Sequence, residues 1–490
     1  MTWQRTNLLI LLVFSYFASV DLLSPYPIIL IVSYDAFRYD YPTRGFTPVL
    51  AKLRESGTVA EYMDNVFVTK TFTNHHSIAT GVYPEFHGVL GNSLYDSYYK
   101  KKLGYSYELW HYSNDTLPIW IANEKKGNGR YSGIMMWPGN EYAYSGIKPT
   151  YQKAWNYNVT WDKRVDGAIE WILNPNKPAN LVLLYIEEPD YHGHGFGVNS
   201  PKFTNELKLM DNITKYIMDS LKRNNLTDHV NVFFLSDHGM ISTTKNDVID
   251  LRNFVSSDLY DIYEGSPGIH IYPKPGKANI VYNALKAAVK NGSKFRVFKN
   301  SEIPDHWHFK NNRRAPPILA LADPPHVFQD FYPYVKEIER QWNFTATNTT
   351  EFGMHGYDNS EKMMKPYFLA VGPAIKKNYT IEPFKTLDLF SLWSYMCGFA
   401  DYAKATNGSL EIVSKMLRQG QNMSLNETNE SQYVGSILLR LLLIGIVVNV
   451  AVYFVYRKWY FRKKAYLSRL GDDPQDSAFR QRLLDSDEEA

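Results

Sequence analysis

The amino-acid sequence predicts an α/β fold in which a central, mostly parallel β-sheet is flanked by helices. Short apolar runs rich in β-forming residues recur along the chain, and helical patterns lie between some of them. The clearest helical pattern covers 206–221, where Leu207, Met210, Ile213, Ile217 and Leu221 fall on one face. Strands that alternate with helices are typical of parallel sheets. The predicted strands are 28–33, 133–136, 181–186, 230–235, 318–320 and 368–371.

Length and charge limit the classes of function. With 490 residues the chain can hold one large domain or two to three ordinary ones. The formal net charge is only +3, from 53 basic and 50 acidic residues, so the overall charge does not favour binding to a nucleic-acid polymer. The 37 tyrosines and 11 tryptophans suit a globular body with aromatic-lined clefts.

The N-terminus has the parts of a secretory signal. Arg5 precedes an apolar run over 8–17, and the small residues Ala18 and Ser19 follow it. We therefore predict a signal peptide over 1–20 and an extracytoplasmic domain over 21–400. A first strand or an uncleaved anchor is the alternative, but the run is shorter than the ~20 residues that span a bilayer.

A second apolar stretch has spanning length and predicts a C-terminal transmembrane helix over 433–456. Arg440 and Asn449 interrupt this stretch; the arginine can snorkel to the interface, and the asparagine can pair with another helix. Basic residues follow at once, which by the positive-inside rule places a tail over 457–490 in the cytoplasm. The expected localisation is a cell membrane, as a single-pass type I protein whose large domain is extracellular or lumenal.

Glycosylation sequons all lie before the predicted span, which supports the same topology and implies N-linked glycans. The polar, Asn-rich stretch 401–432 is predicted to be a glycosylated stalk. The sequon asparagines are Asn114, Asn158, Asn212, Asn225, Asn291, Asn343, Asn348, Asn378, Asn407, Asn422, Asn426 and Asn429.

Cys397 is the only cysteine, so the large domain contains no internal disulfide. It lies in the apolar run 392–399, which indicates a buried structural thiol rather than a nucleophile. A domain of roughly 380 residues can rely on its own core for stability.

Acidic and histidine residues follow the ends of three predicted strands. Asp35 closes the first strand, Asp190 and His194 follow the third, and Asp237 and His238 follow the fourth. In open α/β sheets, sites form outside the carboxyl ends of the strands. We therefore expect these side chains at one edge of the sheet.

His355, in the loop Gly353-Met354-His355-Gly356, completes a set of three aspartates and three histidines. This set would give each of two metal ions three protein ligands. Oxygen and nitrogen ligands without thiolate suit zinc in a hydrolytic site, or manganese or magnesium with less imidazole. A metal pair roughly 4 Å apart can hold both the attacking and the leaving oxygen of an in-line displacement at phosphorus.

The polar segment 68–77 precedes an apolar stretch and contains Thr71. At a helix N-terminus the Thr71 hydroxyl would meet backbone N–H groups, and the helix dipole would favour a phosphoryl group. Because threonine is a poor nucleophile at its own pKa, it needs metal coordination to react. On this segment alone, a threonine that merely caps a helix remains the alternative.

Seven separated motifs carry a resemblance. They are Asp35-Ala36-Phe37-Arg38-Tyr39-Asp40-Tyr41, Thr69-Lys70-Thr71-Phe72-Thr73-Asn74-His75, Thr80-Gly81-Val82-Tyr83-Pro84-Glu85, Met136-Trp137-Pro138-Gly139, Glu188-Pro189-Asp190, Ser236-Asp237-His238-Gly239-Met240 and His355-Gly356-Tyr357-Asp358-Asn359. In this order they resemble the ecto-nucleotide pyrophosphatase/phosphodiesterase family, within the alkaline-phosphatase superfamily. The resemblance implies an alkaline-phosphatase-like fold and zinc-dependent hydrolysis of phosphodiester or pyrophosphate bonds in extracellular nucleotides or dinucleotides.

The resemblance also implies a role for each site residue. One zinc ion would take Asp190, His194 and His355, and the other Asp35, Asp237 and His238. Thr71 would bridge as the nucleophile and form a phospho-threonine intermediate, and Asn92 would donate a hydrogen bond to a phosphate oxygen. The two zinc ions would be the cofactors.

Three further residues are expected to contact the substrate. Phe72 stands where the family stacks one face of a nucleobase, and Trp155 stands where an opposing tyrosine is usual. Either ring can stack a base. Glu141 replaces the aspartate that the family has after Trp-Pro-Gly, so the base preference is open.

Four other functions are alternatives to nucleotide hydrolysis. A sulfatase would need a cysteine or serine in the nucleophile motif, and an alkaline phosphatase would use a serine on monoesters. Within the family, a phospholipid or choline-phosphate diesterase is the alternative substrate class. Outside catalysis, a silent cell-surface binding module is the alternative, although all six ligands and Thr71 are present.

Overall fold

The structure is a computed structural model that describes residues 23–113, 115–418 and 427–467. The predicted signal peptide over 1–20, the sequons at Asn114, Asn422 and Asn426, and the tail from 468 onward lie outside these residues. The chain divides into two compact units, Met1–Ser424 and Leu425–Ala490.

The first unit is built on β-strands, most of them short. In chain order the described strands are β1 (Ile28–Tyr34), β2 (Thr58–Ala60), β3 (Met63–Asp64), β4 (Leu94–Asp96), β5 (Lys101–Leu103), β6 (Ser132–Met135), β7 (Tyr151–Lys153), β8 (Leu181–Ile186), β9 (Val230–Leu235), β10 (Ile241–Thr243), β11 (Val248–Ile249), β12 (Tyr260–Ile262), β13 (Gly268–Pro273), β14 (Phe295–Lys299), β15 (Ile318–Ala322), β16 (Val327–Phe328), β17 (Phe352–Met354), β18 (Phe368–Val371), β19 (Tyr379–Ile381) and β20 (Phe384–Lys385).

Helices connect and cover these strands. The α-helices are α1 (Pro48–Ser56), α2 (Thr71–Thr80), α3 (Pro84–His87), α4 (Tyr107–Trp110), α5 (Ile119–Lys126), α6 (Trp161–Ile172), α7 (Asp190–Phe196), α8 (Pro201–Arg223), α9 (Ala278–Lys290), α10 (Phe331–Trp342), α11 (Asp388–Met396) and α12 (Glu427–Leu467). Short 3-10 helices lie at Tyr41–Arg44, Lys245–Asp247, Leu251–Asn253, Ser257–Leu259, Asn300–Glu302, Asp305–Trp307, Lys362–Met364, Ala400–Ala405 and Val413–Met416.

The central sheet has eight strands in the order β19-β2-β18-β9-β1-β8-β6-β7. Strand β1 pairs in parallel with both β8 and β9, and β6 pairs in parallel with β8 and β7. All seven residues of β1 are buried, as expected for a parallel strand that is covered on both faces. The predicted α/β fold with a mostly parallel sheet is confirmed.

Helices cover both faces of this sheet. Phe233 and Phe234 are consecutive in β9, so their side chains point to opposite faces. Phe233 contacts Trp393 of α11, whereas Phe234 stacks on Tyr34, whose hydroxyl contacts Thr214 of α8. Helices α11 and α8 therefore lie on opposite sides, and the core forms between them and the strands.

Two predicted strands differ in their pairing. Strand β18 runs antiparallel to β9 and β2 in the central sheet. Strand β15, expected in the same sheet, instead pairs antiparallel with β13 and β14 in a separate four-stranded sheet, which shares a second hydrophobic core with α9. A short apolar run specifies a buried strand but not its partners, because pairing depends on contacts distant in sequence.

The helix predicted over 206–221 is the central part of α8. It begins earlier because Ser200 accepts a hydrogen bond from Phe203 N at 3.1 Å and Pro201 occupies the first turn. Leu207, Met210 and Ile217 are buried, as the apolar face predicts.

Cys397 lies at the end of α11 and is fully buried, as predicted for a structural thiol. Its sulfur accepts a hydrogen bond from Asn180 Nδ2 at 3.7 Å. Burial raises the pKa of the thiol to about 12, so the thiolate that reactivity requires is suppressed.

The segment after residue 400 contacts the large domain. Val413 and Met416 are buried, Lys376 N donates to Met416 O at 2.8 Å, and Arg418 N donates to Ala374 O at 2.9 Å. Residues 401–418, the first part of the predicted stalk, are thus packed against the domain.

The second unit contains helix α12. It covers the stretch 433–456 in which a transmembrane helix was expected. No helix in the described part of the chain has the length and apolarity needed to cross a membrane. The predicted spanning helix is therefore not supported by the described residues.

Candidate metal centre

The carboxyl edge of the central sheet collects the six predicted ligands. Asp35 directly follows β1, Asp190 begins α7 after β8, and Asp237 and His238 follow β9 after one intervening residue. Because β1, β8 and β9 are parallel neighbours, their carboxyl ends deliver these side chains to one place. His355 arrives from the loop after β17.

The first group of ligands is Asp35, Asp237 and His238, which we call cluster A. His238 Nε2 lies 3.1 Å from Asp237 Oδ2 and 3.4 Å from Asp35 Oδ1. All three side chains are buried. Their donor atoms converge on a common point, as a metal ion requires.

The second group is Asp190, His194 and His355, which we call cluster B. His194 Nε2 lies 3.4 Å from Asp190 Oδ2, and His355 Nε2 lies 3.6 Å from Asp190 Oδ1. The two Nε2 atoms are 3.2 Å apart. Asp190 and His194 are one helical turn apart on α7, which places both on the same face.

Backbone carbonyls set the orientation of all three imidazoles. The Nδ1 atoms of His194, His238 and His355 contact the carbonyl oxygens of Gly353, Gly239 and Thr69, at 3.0, 3.0 and 2.9 Å. A carbonyl oxygen only accepts, so each Nδ1 carries the proton and donates it. Each Nε2 is then an unprotonated lone-pair donor facing the carboxylates, which is the arrangement of a metal-binding histidine.

Burial makes the site unfavourable without a cation. Burial, followed by repulsion from Asp237, raises the pKa of Asp35 and of Asp190 well above the ordinary value. Burial lowers the pKa of His194 to about 3 and that of His355 well below its ordinary value, so both rings are neutral at pH 7. Within the described residues, Asp35 Oδ1, Asp190 Oδ1 and Asp237 Oδ2 are buried and accept no hydrogen bond. Divalent cations would satisfy these oxygens, so the donor set fits metal binding.

Thr71 is the first residue of α2 and is buried beside cluster A. Its Oγ1 lies 3.3 Å from His238 Nε2. Lys70 occupies the N-cap position, in an extended conformation and without a side-chain hydrogen bond to the helix. Thr71 is therefore the first helical residue and not the capping residue. The hydroxyl instead stands at a helix N-terminus next to the candidate metal ligands, where the backbone favours an anion.

His75 holds Thr71 and cluster A together, and the sequence did not reveal it. It lies one turn after Thr71, and its Nδ1 is 2.9 Å from Thr71 O and 3.3 Å from Asp237 Oδ2. Its Nε2 is 2.9 Å from the hydroxyl of Ser33 in β1. The four-residue spacing from Thr71 was the available signal, but the contact with Asp237 depends on the fold.

Tyr185 is a second residue that sequence reasoning missed. Its hydroxyl donates to Asp35 Oδ2 at 2.6 Å, and its ring meets that of His75 edge-on at 5.1 Å. It reaches Asp35 because β1 and β8 pair with Ser33 opposite Tyr185. Such partners fix the orientation of a metal-binding carboxylate.

Asn92 lies beside Thr71, as expected for a residue that contacts a phosphate. Its Oδ1 accepts the backbone N–H of Phe72 at 3.0 Å, which leaves the Nδ2 group as the donor. The next residue, Ser93, donates its backbone N–H to the buried carboxylate of Glu264 at 2.7 Å. The turn that carries Asn92 is thus anchored from another part of the chain.

The three predicted base-contacting residues fall into two groups, Phe72 with Glu141 and Trp155 by itself. Phe72 packs against Tyr105 and Trp110, with ring centroids 5.3 Å away in each case. The Tyr105 hydroxyl donates to Glu141 Oε2 at 2.5 Å, so Glu141 lies in the surroundings of Phe72. Trp155 is 51% exposed and contacts Tyr157, and among the described ring contacts none joins Trp155 to Phe72.

The chain is similar in sequence to a known protein family. A family model described as type I phosphodiesterase/nucleotide pyrophosphatase matches residues 29–358, which include all six candidate ligands and Thr71. The chain belongs to this family. Membership confirms the family resemblance and the expected class of enzyme, a hydrolase that acts on phosphodiester and pyrophosphate bonds.

Relatives are similar over most of their length. Ectonucleotide pyrophosphatase/phosphodiesterase family member 5 of Homo sapiens is 34% identical over 397 residues, 79% of this chain and 78% of the relative. The bis(5'-adenosyl)-triphosphatase of Xenopus laevis is 31% identical over 426 residues, 86% of this chain and 88% of the relative.

Solved structures agree with this family. The structure of murine ectonucleotide pyrophosphatase/phosphodiesterase 5, an inactive threonine-to-alanine variant in complex with AMP, superposes with a TM-score of 0.71 at 34% identity. The match covers 80% of this chain and 100% of that one.

Proposed function

We propose that this protein hydrolyses phosphodiester or pyrophosphate bonds in nucleotides or dinucleotides, with two zinc ions as cofactors and Thr71 as the nucleophile. The observation that carries the proposal is the position of Thr71 Oγ1, 3.3 Å from His238 Nε2 at the edge of two carboxylate–histidine clusters. The structurally similar murine protein was solved with AMP as a threonine-to-alanine variant that is inactive, which supports the same role for Thr71 here.

Zinc suits the donor set. Each cluster offers one or two carboxylates with one or two neutral imidazoles and no thiolate, and three protein ligands leave a position open for substrate. When bound, such ions would lower the pKa of the Thr71 hydroxyl and neutralise charge on the phosphoryl group. Asp35, Asp237 and His238 would hold one ion, and Asp190, His194 and His355 the other.

Side chains of the protein have the remaining roles, which are attack on phosphorus, binding of the phosphate and stacking of the base. Thr71 Oγ1 forms a bond to phosphorus as the P–O bond to the leaving group breaks, which gives a phospho-threonine. Water then attacks phosphorus in a second in-line displacement, and the bond to Thr71 Oγ1 breaks to release the nucleoside monophosphate. Asn92 Nδ2 donates to a non-bridging oxygen, because its Oδ1 is held by the Phe72 amide. Phe72 and Trp155 stack the nucleobase, and Glu141, placed by Tyr105, accepts hydrogen bonds from its edge.

The large domain is proposed to act outside the cytoplasm and to carry N-linked glycans. Every sequon asparagine within the described part of the large domain has an exposed side chain, which supports this location. These are Asn158, Asn212, Asn225, Asn291, Asn343, Asn348, Asn378 and Asn407.

A substrate panel tests the proposal. We expect wild-type protein with bound zinc to hydrolyse diadenosine triphosphate and the p-nitrophenyl ester of AMP, and we expect Thr71→Ala to bind zinc equally but to be inactive. Turnover of p-nitrophenyl phosphocholine without turnover of nucleotides would replace the substrate class by choline-phosphate esters. An inactive wild type with full zinc would favour the silent binding module.

A further inference from the structure

Thr69 lies two residues before the proposed nucleophile and contacts the loop that carries one ligand of cluster B. The residue is fully buried, and its carbonyl oxygen accepts the proton of His355 Nδ1 at 2.9 Å. Its hydroxyl makes two further contacts with the same loop. Oγ1 accepts the backbone N–H of Gly356 at 3.0 Å and donates to the carbonyl oxygen of Tyr357 at 2.9 Å. His355 and the two residues after it are thus all hydrogen-bonded to Thr69.

This loop and the segment before the nucleophile lie too close together for a side chain at position 356. Gly356 has a φ of +109°, a backbone conformation that favours glycine. A Cβ atom at this position would lie 2.5 Å from Lys70 Cε and 2.9 Å from Pro267 Cδ. Lys70 is itself held in place, because its Nζ donates to the carbonyl oxygen of Ser266 at 2.7 Å. The loop after β17 therefore packs directly against the residues that precede the nucleophile.

Helix α2 fixes the position of Thr69 in turn. Asn74, one turn into this helix and fully buried, donates from Nδ2 to Val68 O at 3.0 Å and to Lys70 O at 3.1 Å. Its Oδ1 accepts the backbone N–H of Val66 at 3.0 Å. The carbonyl groups on both sides of Thr69 are therefore tied to the helix that begins with the nucleophile.

These contacts matter for cluster B because a metal ion tolerates little displacement of its ligands. Functional sites generally need their groups held within about 0.5 Å of the productive geometry. His355 Nε2 lies 3.2 Å from His194 Nε2 and 3.6 Å from Asp190 Oδ1. The hydrogen bond that a ligating histidine makes through its other ring nitrogen fixes the orientation of the ring. A displaced loop would therefore turn His355 Nε2 away from the other two ligands.

We propose that the Thr69 hydroxyl is a positioning group for the metal ion of cluster B. It holds the loop that carries His355, and it thereby keeps His355 Nε2 directed at the other ligands. Because Thr69 is also fixed to α2, the same contacts hold this ligand in a constant position relative to Thr71. Thr69 acts through His355. The inference rests on the proposed function for the identity of the metal, which is zinc.

Thr69→Val tests this role, because it removes the hydroxyl and keeps a branched side chain of similar size. The zinc dissociation constant of cluster B should rise about 10–100-fold, the usual effect of losing a group that orients a metal ligand. Chelator titration in an Asp35→Ala background measures cluster B by itself, since cluster A then lacks one of its three ligands. Thr69→Ser keeps the hydroxyl and should retain the zinc affinity of its parent.

Thr73→Val is the matched control. Thr73 is also a fully buried threonine, two residues after the nucleophile, but its Oγ1 has no hydrogen-bond partner within the described part of the chain. Removal of this hydroxyl should leave the zinc affinity unchanged. Equal weakening in Thr69→Val and Thr73→Val would assign the effect to a general loss of stability and overturn the proposal.

The rise in Tm on adding zinc separates positioning from folding. Ligands stabilise the folded state in proportion to their affinity for it, so Thr69→Val should show a smaller rise than wild type. A change that only destabilised the fold would lower Tm equally with and without zinc, and that result would contradict the proposal. Hydrolysis of nucleotides by Thr69→Val should recover when excess zinc is added.

Failure of this inference can be distinguished from failure of the proposed function. If Thr69→Val holds zinc as tightly as its parent, His355 is positioned without the hydroxyl and the inference is wrong. If wild type binds zinc at both clusters but hydrolyses no nucleotide, the proposed function fails, while the titrations still decide the role of Thr69. If wild type binds no zinc, the proposed cofactor and this inference are both wrong.

Discussion

The imidazole rings of His238 and His355 lie face to face, with centroids 3.8 Å apart and planes inclined by 12°. His238 belongs to cluster A and His355 to cluster B, so this stack joins the two candidate metal sites. Each ring is also fixed through its Nδ1 by a backbone carbonyl. The two clusters are therefore joined by a pair of stacked rings, each of which is held in place.

The stack predicts that the two metal sites are coupled. His355→Ala should empty cluster B and also weaken metal binding at cluster A severalfold, because His238 loses the ring that holds it. Metal content after dialysis and chelator competition measure both effects. The exposed His306 offers the control His306→Ala, which should retain full metal. Unchanged affinity at cluster A in His355→Ala would show that the sites are independent.

Tyr185→Phe tests the support of Asp35. This change removes only the hydroxyl that donates to Asp35 Oδ2 at 2.6 Å. Loss of such a partner generally costs about 10–100-fold in metal affinity or activity. We expect weaker zinc binding in chelator titrations, and activity that recovers when excess zinc is added. Activity that stays low at saturating zinc would mean that Tyr185 acts on the reaction itself.

Asn92→Ala should lower kcat by about 10²–10³, the usual effect of losing one donor to a developing negative charge. Asn92→Asp separates the two functions of this side chain. It keeps an oxygen for the Phe72 amide but cannot donate to phosphate, so it should be as slow as Asn92→Ala while unfolding at the wild-type temperature. Near-normal kcat in Asn92→Asp would show that the residue serves only to hold Phe72.

The buried pair of Asp96 and Arg314 predicts a pH-dependent contribution to stability. Arg314 Nε donates to Asp96 Oδ2 at 2.6 Å, and both side chains are fully buried. Although burial disfavours its charge, hydrogen bonds from Arg314 and Arg313 lower the pKa of Asp96. A carboxyl whose pKa is lower in the folded state stabilises the protein above its unfolded pKa of about 3.9. That contribution is lost as the pH falls through the folded value.

Asp96→Asn should accordingly lower the free energy of unfolding at pH 7 by about 3 kcal/mol, as for other buried ion pairs that lose one partner. The difference from wild type should begin to shrink as the pH falls below the unfolded value of about 3.9, and it should continue to shrink as the pH falls through the lower folded value. Urea titrations across this range measure it. A difference that stays constant from pH 7 down to the lowest pH at which the wild type still folds would mean that charge is not its cause.

Much of the site could be predicted because it depends on local sequence. Asp35 and Asp237 stand one and two residues after the ends of apolar strands, and Asp190 and His194 are one turn apart, so each position is readable without knowledge of the partners. Parallel pairing then brings them together. Phe72 and Asn92 could be assigned from motifs, and the structure places them in contact.

The remaining features depend on contacts that sequence does not show. Tyr185 reaches Asp35 through the register of β1 and β8, and a shift of one residue would point it to the other face. The apolar run at β15 specifies burial, but its partners β13 and β14 place it outside the central sheet. Apolar length, the basic flank and the placement of the sequons together predicted a spanning helix over 433–456, which the described residues do not support.

The order of the ligands along the chain has a consequence for biosynthesis. Cluster A is complete in sequence once His238 has been made, whereas cluster B needs His355. During synthesis, which runs from the N-terminus, all three ligands of cluster A are therefore made well before cluster B is complete in sequence. Since the two share the stacked rings of His238 and His355, the first site gains its final rigidity only when the loop after β17 emerges and docks. A chain that is cut short before this loop would carry all three ligands of cluster A but would lack both His355 and β18, which pairs with β9 beside those ligands.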